Sequence, residues 1–331
     1  MTRFAIGIDI GATWVRVAIG SEDGELLGRV VEKTSKFPGT DIVRWLADTI
    51  SALMQKVSVK KISGIGIGSI GPLDIRRGMI LTPVNAPLRN VNLVSPLRKK
   101  FSVPVYLVND ATAGVIGEKM YGRGEKYENI VYVTLSTGIG GGVYVDGNLL
   151  IGKDGNAAEI GHMVIDMEGK LVCGCGKRGH WEAYCSGKNI PNFARYLISR
   201  SDEELVKRSL LTKETGGDFS KLTAEMIFRL ADKGDELARN IVNEVGRLNA
   251  IGFSVLVNMY DPELITIGGA VALKNPKHLV LNPIIENIGE YAINRIPRIE
   301  ITTLREDVVL LGALGLAMEP PETYLRYIKS D

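Results

Sequence analysis

Two stretches far apart in the chain are written to one plan. In residues 6–19 (IGIDIGATWVRVAI) Ile6, Ile8 and Ile10 alternate, Gly11 breaks the run, and Val15, Val17 and Ile19 alternate again, before Asp23-Gly24 leads to Leu26-Leu27. Residues 131–145 (VYVTLSTGIGGGVYV) repeat the strand, glycine turn and strand, and Asp146-Gly147 then leads to Leu149-Leu150. Alternation at period two marks half-buried strands, so each stretch reads as a hairpin around a Thr/Gly turn. A duplicated hairpin implies two related lobes facing one ligand, although two unrelated β-hairpins can also look alike. At 331 residues the chain is in any case long for one core, and two packed lobes are the default.

Strands and helices alternate through the rest of the chain, an α/β pattern. A third strand falls at about Leu26–Val31, and an amphipathic helix follows at about Asp41–Val57 with Ile42, Leu46, Ile50 and Leu53 on one face. A strand at Ser63–Gly68 opens into a loop rich in Gly, Pro and Asn that runs to about Asn92. A short helix, a strand at Val105–Val108 and a helix from Ala111 to about Tyr121 come next. The second hairpin has its turn at Ser136–Gly142 and its return strand at Val143–Val145. Residues 199–222 are polar and read as a surface insertion, after which a long helical segment reaches Met259. A buried strand at Leu264–Ile267 and a final apolar helix at about Val308–Met318 close the chain. With no flexible linker between them, the lobes are expected to share a cleft. Residues 1–108 plus about 311–331 form the small one, and residues 109–310 the large one.

Charge narrows the function. Lys and Arg number 40 against 38 Asp and Glu, a net +2, which gives no electrostatic reason to expect nucleic acid or an anionic membrane as partner. No apolar run approaches a membrane span, and the strand pattern starts too early for a signal peptide. Only 3 cysteines argue against a secreted disulfide framework, so a cytoplasmic enzyme is the simplest class.

The glycine turns suit phosphate. Asp9-Ile-Gly11-Ala-Thr13 puts a carboxylate at a strand end, with glycine and a hydroxyl in one tight turn. Backbone N–H groups there can cradle an anion, and Asp9 can hold Mg²⁺ through water. Taken alone, the same residues are simply a good hairpin turn. Thr137-Gly138-Ile139-Gly140-Gly141-Gly142 is a second such turn, and so many glycines weaken a strand pair unless bare backbone is needed. Neither stretch is a Walker loop or a dinucleotide fingerprint. Gly268-Gly269, at a strand end, offers a place where a nucleoside base could lie flat.

Asn109-Asp110 follows an apolar strand and precedes a helix. A carboxylate there can accept the proton of a hydroxyl as it attacks a γ-phosphate, or it can simply cap the helix. The most distinctive stretch holds Glu159, His162, Cys173, Cys175, His180 and Glu182, with two of the chain's three histidines beside two cysteines. Thiolates and imidazoles this close suit tetrahedral Zn²⁺, a buried thiol pair being the plainer alternative. Glu159 and Glu182 bracket the knot and can accept hydrogen bonds from sugar hydroxyls.

These motifs, in this order and over nearly the whole chain, resemble the ROK family of repressors, open reading frames and sugar kinases. Asp9-x-Gly11-x-Thr13 resembles its first phosphate motif and Thr137–Gly142 its second. Asn109-Asp110-Ala111 resembles the segment with its catalytic aspartate. Glu159-x-Gly161-His162 and Cys173-x-Cys175-Gly-x-x-Gly-x-x-Glu182, then Ser186-Gly187, resemble its signature segments. Ala231-x-x-Gly234-Asp235-x-x-Ala238 and Ile267-Gly268-Gly269 extend the likeness toward the nucleoside end.

The resemblance implies a two-lobed actin-like (ribonuclease H-like) ATPase fold with a central cleft, and an ATP-dependent sugar kinase. It implies that Asp110 activates the sugar 6-hydroxyl and that Asn109, Glu159, His162 and Glu182 bind the hexose. Asp9, Gly11, Thr13, Thr137, Gly138, Gly140, Gly141, Gly268 and Gly269 would serve Mg-ATP. A structural zinc would take His162 through one nitrogen while the other faces the sugar, with Cys173 and Cys175. The family's third zinc cysteine falls at His180 here, which gives a Cys₂His₂ set. Cys185 lies outside the motif and is assigned to the core. The family's repressors carry a helix-turn-helix ahead of the first phosphate motif, and none precedes Asp9. Among acceptors, glucose or a broad range of hexoses is favoured over N-acetylhexosamines or fructose, and one or two loop side chains near the sugar 2-position set the choice. The family habit is a homodimer.

Overall fold

Alternation does what it dictates in the opening hairpin. Strand β1 (Phe4–Ile10) pairs antiparallel with β2 (Trp14–Ser21), and Ile6, Ile8, Ile10, Val15, Val17 and Ile19 are wholly buried. The computed structural model describes residues 2–83 and 86–329. Val84 and Asn85 of the expected loop, and Met1, Ser330 and Asp331 of the expected small lobe, lie outside the described residues.

Strand β3 (Leu26–Lys33) adds to β2, and helix α1 (Ile42–Lys56) buries the four apolar residues read on its face. Strand β4 (Ile65–Ser69) runs parallel to β1. The loop beyond it is more ordered than its composition suggests: β5 (Leu73–Asp74), β6 (Met79–Ile80) and β7 (Val91–Asn92) form a small sheet. Helix α2 (Val94–Phe101), strand β8 (Val105–Asn109), parallel to β4, and helix α3 (Asp110–Tyr121) follow. The first large sheet is ordered β3-β2-β1-β4-β8.

The second hairpin is β9 (Ile130–Leu135) and β10 (Ile139–Val145), with β11 (Asn148–Leu149) beside β10. Then come α4 (Glu182–Cys185), α5 (Ile190–Ile198), α6 (Glu203–Arg208), α7 (Leu210–Thr215), α8 (Ala224–Asp232) and α9 (Glu236–Tyr260). The polar insertion thus carries two short helices, and the long helical segment is broken once, at Gly234, which takes φ +91°. Strand β12 (Leu264–Gly268), helices α10 (Ala270–Lys274) and α11 (Lys277–Ile288), and strand β13 (Arg298–Ile301) complete this half. Its sheet is ordered β11-β10-β9-β12-β13, with β13 parallel to β12 as β8 is to β4. Hairpin, third strand outside it and two further strands on the other side recur in the same order. The duplication read in the hairpins therefore extends to both sheets.

By compactness the chain falls into two units, residues 1–132, 142–158 and 302–331, and residues 133–141 and 159–301. Helix α3, assigned from the sequence to the larger lobe, packs in the first unit against β4 and helix α12 (Val308–Met318). Ten of the eleven residues of α12 are buried, so it reaches its neighbours without polar side chains. The approach is backbone on backbone: a Cβ on Gly312 would lie 1.6 Å from the Ala113 carbonyl oxygen, and one on Gly66 1.9 Å from that of Ala313. The chain does not close on α12, because α13 (Glu322–Lys329) follows. There the Tyr324 hydroxyl donates to the Leu107 carbonyl and accepts the Leu107 N–H, each at 3.0 Å, on the open edge of β8. In the second unit, α9 packs with α8 and α11.

Candidate active site

Register aligns one set of candidate residues. Across parallel β1, β4 and β8, Ile10, Ser69 and Asn109 stand in one row, and neighbouring strands are about 4.8 Å apart. The Asp9–Thr13 turn and Asn109-Asp110 therefore leave the first sheet at the same end, the carboxyl ends of parallel strands where α/β sheets place ligands. Asn109 rather than Asp110 caps α3, its Oδ1 accepting the Ala111 N–H at 2.9 Å. The reason is conformational: Asn109 is extended, as an N-cap must be, while Asp110 is already the first helical residue. Asp110 Oδ1 also accepts from Ala111 N–H, at 2.8 Å. Both residues are half-buried. The helix N-terminus stabilises the Asp110 carboxylate, the state a general base must occupy.

Asp9 is deeply buried, at 5% exposure, and Arg16 Nη1 donates to its Oδ2 at 2.6 Å. Burial pushes its carboxyl up to about 6 against the pull of Arg16, and Asp307 adds to the rise. The sequence reading missed Arg16, although its place opposite Asp9 in the hairpin was a usable signal. In the turn, Gly11 N–H donates to the Trp14 carbonyl at 2.9 Å, the Thr34 hydroxyl donates to the Gly11 carbonyl at 2.8 Å, and Thr13 is exposed. Gly11 does not take positive φ, but a Cβ there would lie 3.1 Å from the Trp14 carbonyl oxygen, so glycine lets the turn close tightly.

In the second unit the glycine turn is shorter than expected, only Ser136–Gly138, with Thr137 exposed. Gly140 and Gly141 lie in β10, as does Gly142, whose missing Cβ lets the Ala111 carbonyl approach to 2.3 Å of its place. Part of the glycine run thus serves helix packing. Gly268 ends β12, next to β9 in the sheet, and Gly269 has φ +87° with the Leu135 carbonyl 2.4 Å from the position of a Cβ.

His162, Cys173, Cys175 and His180 come together, their donor atoms within 4.8 Å of one another. The Nδ1 atoms of His162 and His180 are 3.3 Å apart, Cys175 Sγ is 3.3 Å from His180 Nδ1, and Cys173 Sγ is 3.8 Å from His162 Nδ1. Zinc–ligand bond lengths give tetrahedral edges of about 3.3 Å between nitrogens and about 3.6 Å between sulfur and nitrogen. These three separations match that figure. Burial pushes the Cys173 thiol up to about 11, so a thiolate there needs a cation beside it. Burial, then His162, lowers the His180 pKa and keeps the imidazole neutral as a ligand requires. His162 Nε2 is 3.9 Å from Glu159 Oε2, and Glu159 is exposed. Trp181 anchors the segment, wholly buried, donating to Asn249 Oδ1 at 2.8 Å. Cys185 is buried apart from the cluster and donates to the Val245 carbonyl.

In the first unit, a helix-N-terminal carboxylate in line with a tight glycine turn suits transfer of a phosphoryl group to a hydroxyl; the second unit carries its own glycine turn and the Cys/His cluster. A family model described as the ROK family matches residues 5–319. A glucokinase of Pyrobaculum calidifontis is 35% identical over 324 residues, 97% of each chain. A ROK hexokinase from Thermus thermophilus superposes with a TM-score of 0.80 at 31% identity, over 95% of this chain and 98% of that one. A ROK family glucokinase from Streptomyces griseus, solved in complex with glucose and AMPPNP, gives 0.76 at 29%, over 96% and 99%.

Proposed function

The chain belongs to the ROK family, and from that premise we propose that Asp110 is the general base that activates the 6-hydroxyl of a hexose, glucose foremost. The protein is an ATP-dependent sugar kinase with the actin-like ATPase fold. Asp110 accepts the hydroxyl proton as the sugar oxygen bonds to the γ-phosphorus, and the bond from that phosphorus to the bridging oxygen breaks to release ADP. The observation that carries this reading is the half-buried Asp110 carboxylate on the N-terminus of α3, directly after Asn109, which stands in strand register with Ile10 of the Asp9 turn.

Asn109, Glu159, His162 and Glu182 bind the hexose. Asp9, Gly11 and Thr13, with Thr137, Gly138, Gly140 and Gly141, serve the phosphates, and Gly268 and Gly269 the nucleoside. Mg²⁺ travels with ATP and meets Asp9 through water. Zn²⁺ bound by His162, Cys173, Cys175 and His180 would be a four-ligand structural ion that fixes the His162 ring, leaving Nε2 for the sugar. The family habit supports a homodimer, and the composition a cytoplasmic location. Among the described residues no helix is long and apolar enough to cross a membrane.

Steady-state kinetics with ATP across glucose, mannose, fructose, glucosamine and the N-acetylhexosamines test the reading. Glucose should give the highest kcat/KM. A clear preference for an N-acetylhexosamine or fructose overturns the substrate assignment, and turnover of none overturns the kinase.

A further inference from the structure

Glu182 faces the glycine turn inside its own unit. Oε2 accepts the Ile139 N–H at 3.0 Å, and Oε1 lies 3.6 Å from Cys173 Sγ. The same Oε2 stands 2.5 Å from where a Cβ on Gly138 would be, so the carboxylate fills the space above the glycine turn. More bonds tie the two segments. The Gly187 N–H donates to the Ser136 carbonyl at 2.7 Å, and a Cβ on Gly161 would meet the Ile139 carbonyl at 2.2 Å. Glu182 is itself held: its carbonyl accepts from Ser186 Oγ at 2.8 Å and Asn189 Nδ2 at 3.1 Å.

We infer that Glu182 is a positioning residue for the turn Ser136–Ile139, so that the segment carrying the Cys/His knot sets the shape of the turn offered to phosphate. This rests on the proposed function only for which ligand each segment meets. A charge-assisted bond to the first N–H of β10 fixes the peptide that follows Gly138. Glycine at 138 is then required by a carboxylate as well as by any phosphate. The side chain assigned to the sugar also prepares the nucleotide side before sugar arrives.

The test is binding of a non-hydrolysable ATP analogue with Mg²⁺, by calorimetry, to the full chain without sugar. Glu182→Ala and Gly138→Ala should each weaken binding about tenfold. The double variant should bind no worse than the weaker single one, because the collision needs both groups. Glu182→Gln, which keeps volume and acceptor, should stay within about twofold. Unchanged binding in Glu182→Ala, or a double loss equal to the product of the single losses, overturns the inference. If Glu182→Ala does not fold, Gly138→Ala/Glu182→Asp replaces it. Its shorter side chain should restore affinity over Gly138→Ala alone, and failure to do so overturns the inference. Amide exchange at Ile139 reads the bond without any ligand: Glu182→Ala should speed it about tenfold or more. An unchanged rate refutes the inference even if the chain proves to phosphorylate no hexose.

Discussion

Replacing Gly312 by alanine should damage both stability and turnover, for one geometric reason. The new Cβ would sit 1.6 Å from the Ala113 carbonyl oxygen and 2.9 Å from the Gly117 nitrogen. A carbon–oxygen contact needs about 3.3 Å, so α12 and α3 must part by about 1.7 Å. Helix α12 has nowhere to go on its other side, where the site of a Gly66 Cβ is already 1.9 Å from the Ala313 oxygen. Helix α3 must therefore yield. Overpacking costs about 1–3 kcal/mol, and with backbone on both sides the upper figure applies. At about 2–4 °C per kcal/mol, the melting midpoint should fall by about 6–12 °C. Because α3 carries Asp110 at its first position, a shift above 1 Å should cost about a hundredfold in kcat. Calorimetry and glucose-phosphorylation kinetics on the purified variant measure the two effects. If midpoint and kcat both match the wild type, the close helix contact is not what holds Asp110. A lower midpoint with normal kcat would show that the N-terminus of α3 is anchored by β8 alone.

Asp110→Asn should leave sugar binding intact while kcat drops about a hundredfold or more, whereas a raised sugar KM at normal kcat would make Asp110 a binding residue. Elemental analysis of protein purified without chelator should find about one zinc per chain. His180→Ala should lose the metal and weaken sugar binding without rescue by Mg²⁺, and His180→Cys should keep both; zinc-free wild-type protein of full activity would refute the site. Asp9 titrates at about 6 in the ligand-free fold against 3.8 ordinarily, so the fold holds its proton more tightly than the unfolded chain does. Its contribution is whole below pH 3.8 and is lost as pH rises through about 6, a swing of about 3 kcal/mol. Denaturant titrations of wild type and Asp9→Asn should diverge across that window, and parallel pH curves would exclude the shift.

The hairpins were legible because alternation and glycine report directly on strand pairing, and the shared strand order of the two sheets followed from them. The Cys/His cluster was legible because its residue types are scarce. Less readable was anything decided by packing. Gly142 looked like turn chemistry and proved to be clearance for α3. Asn109 and Asp110 are adjacent and both able to cap, so only the extended backbone at Asn109 told them apart. Arg16 was hidden because a charge in a strand reads as a solvent-facing residue until its partner across the hairpin is considered. Helix α13 escaped because its polar sequence buries Tyr324 alone.

That tyrosine sets a clock on synthesis. Its bonds to Leu107 span 217 residues of sequence, so the strand leading to Asn109 is made long before its edge is covered. At ordinary elongation rates of about 5–20 residues per second, the gap lasts about 10–40 s. Throughout it the Leu107 N–H and carbonyl stand open to any passing strand. The nascent chain must keep the edge of β8 unpaired for that interval, until α13 emerges and the Tyr324 hydroxyl covers it.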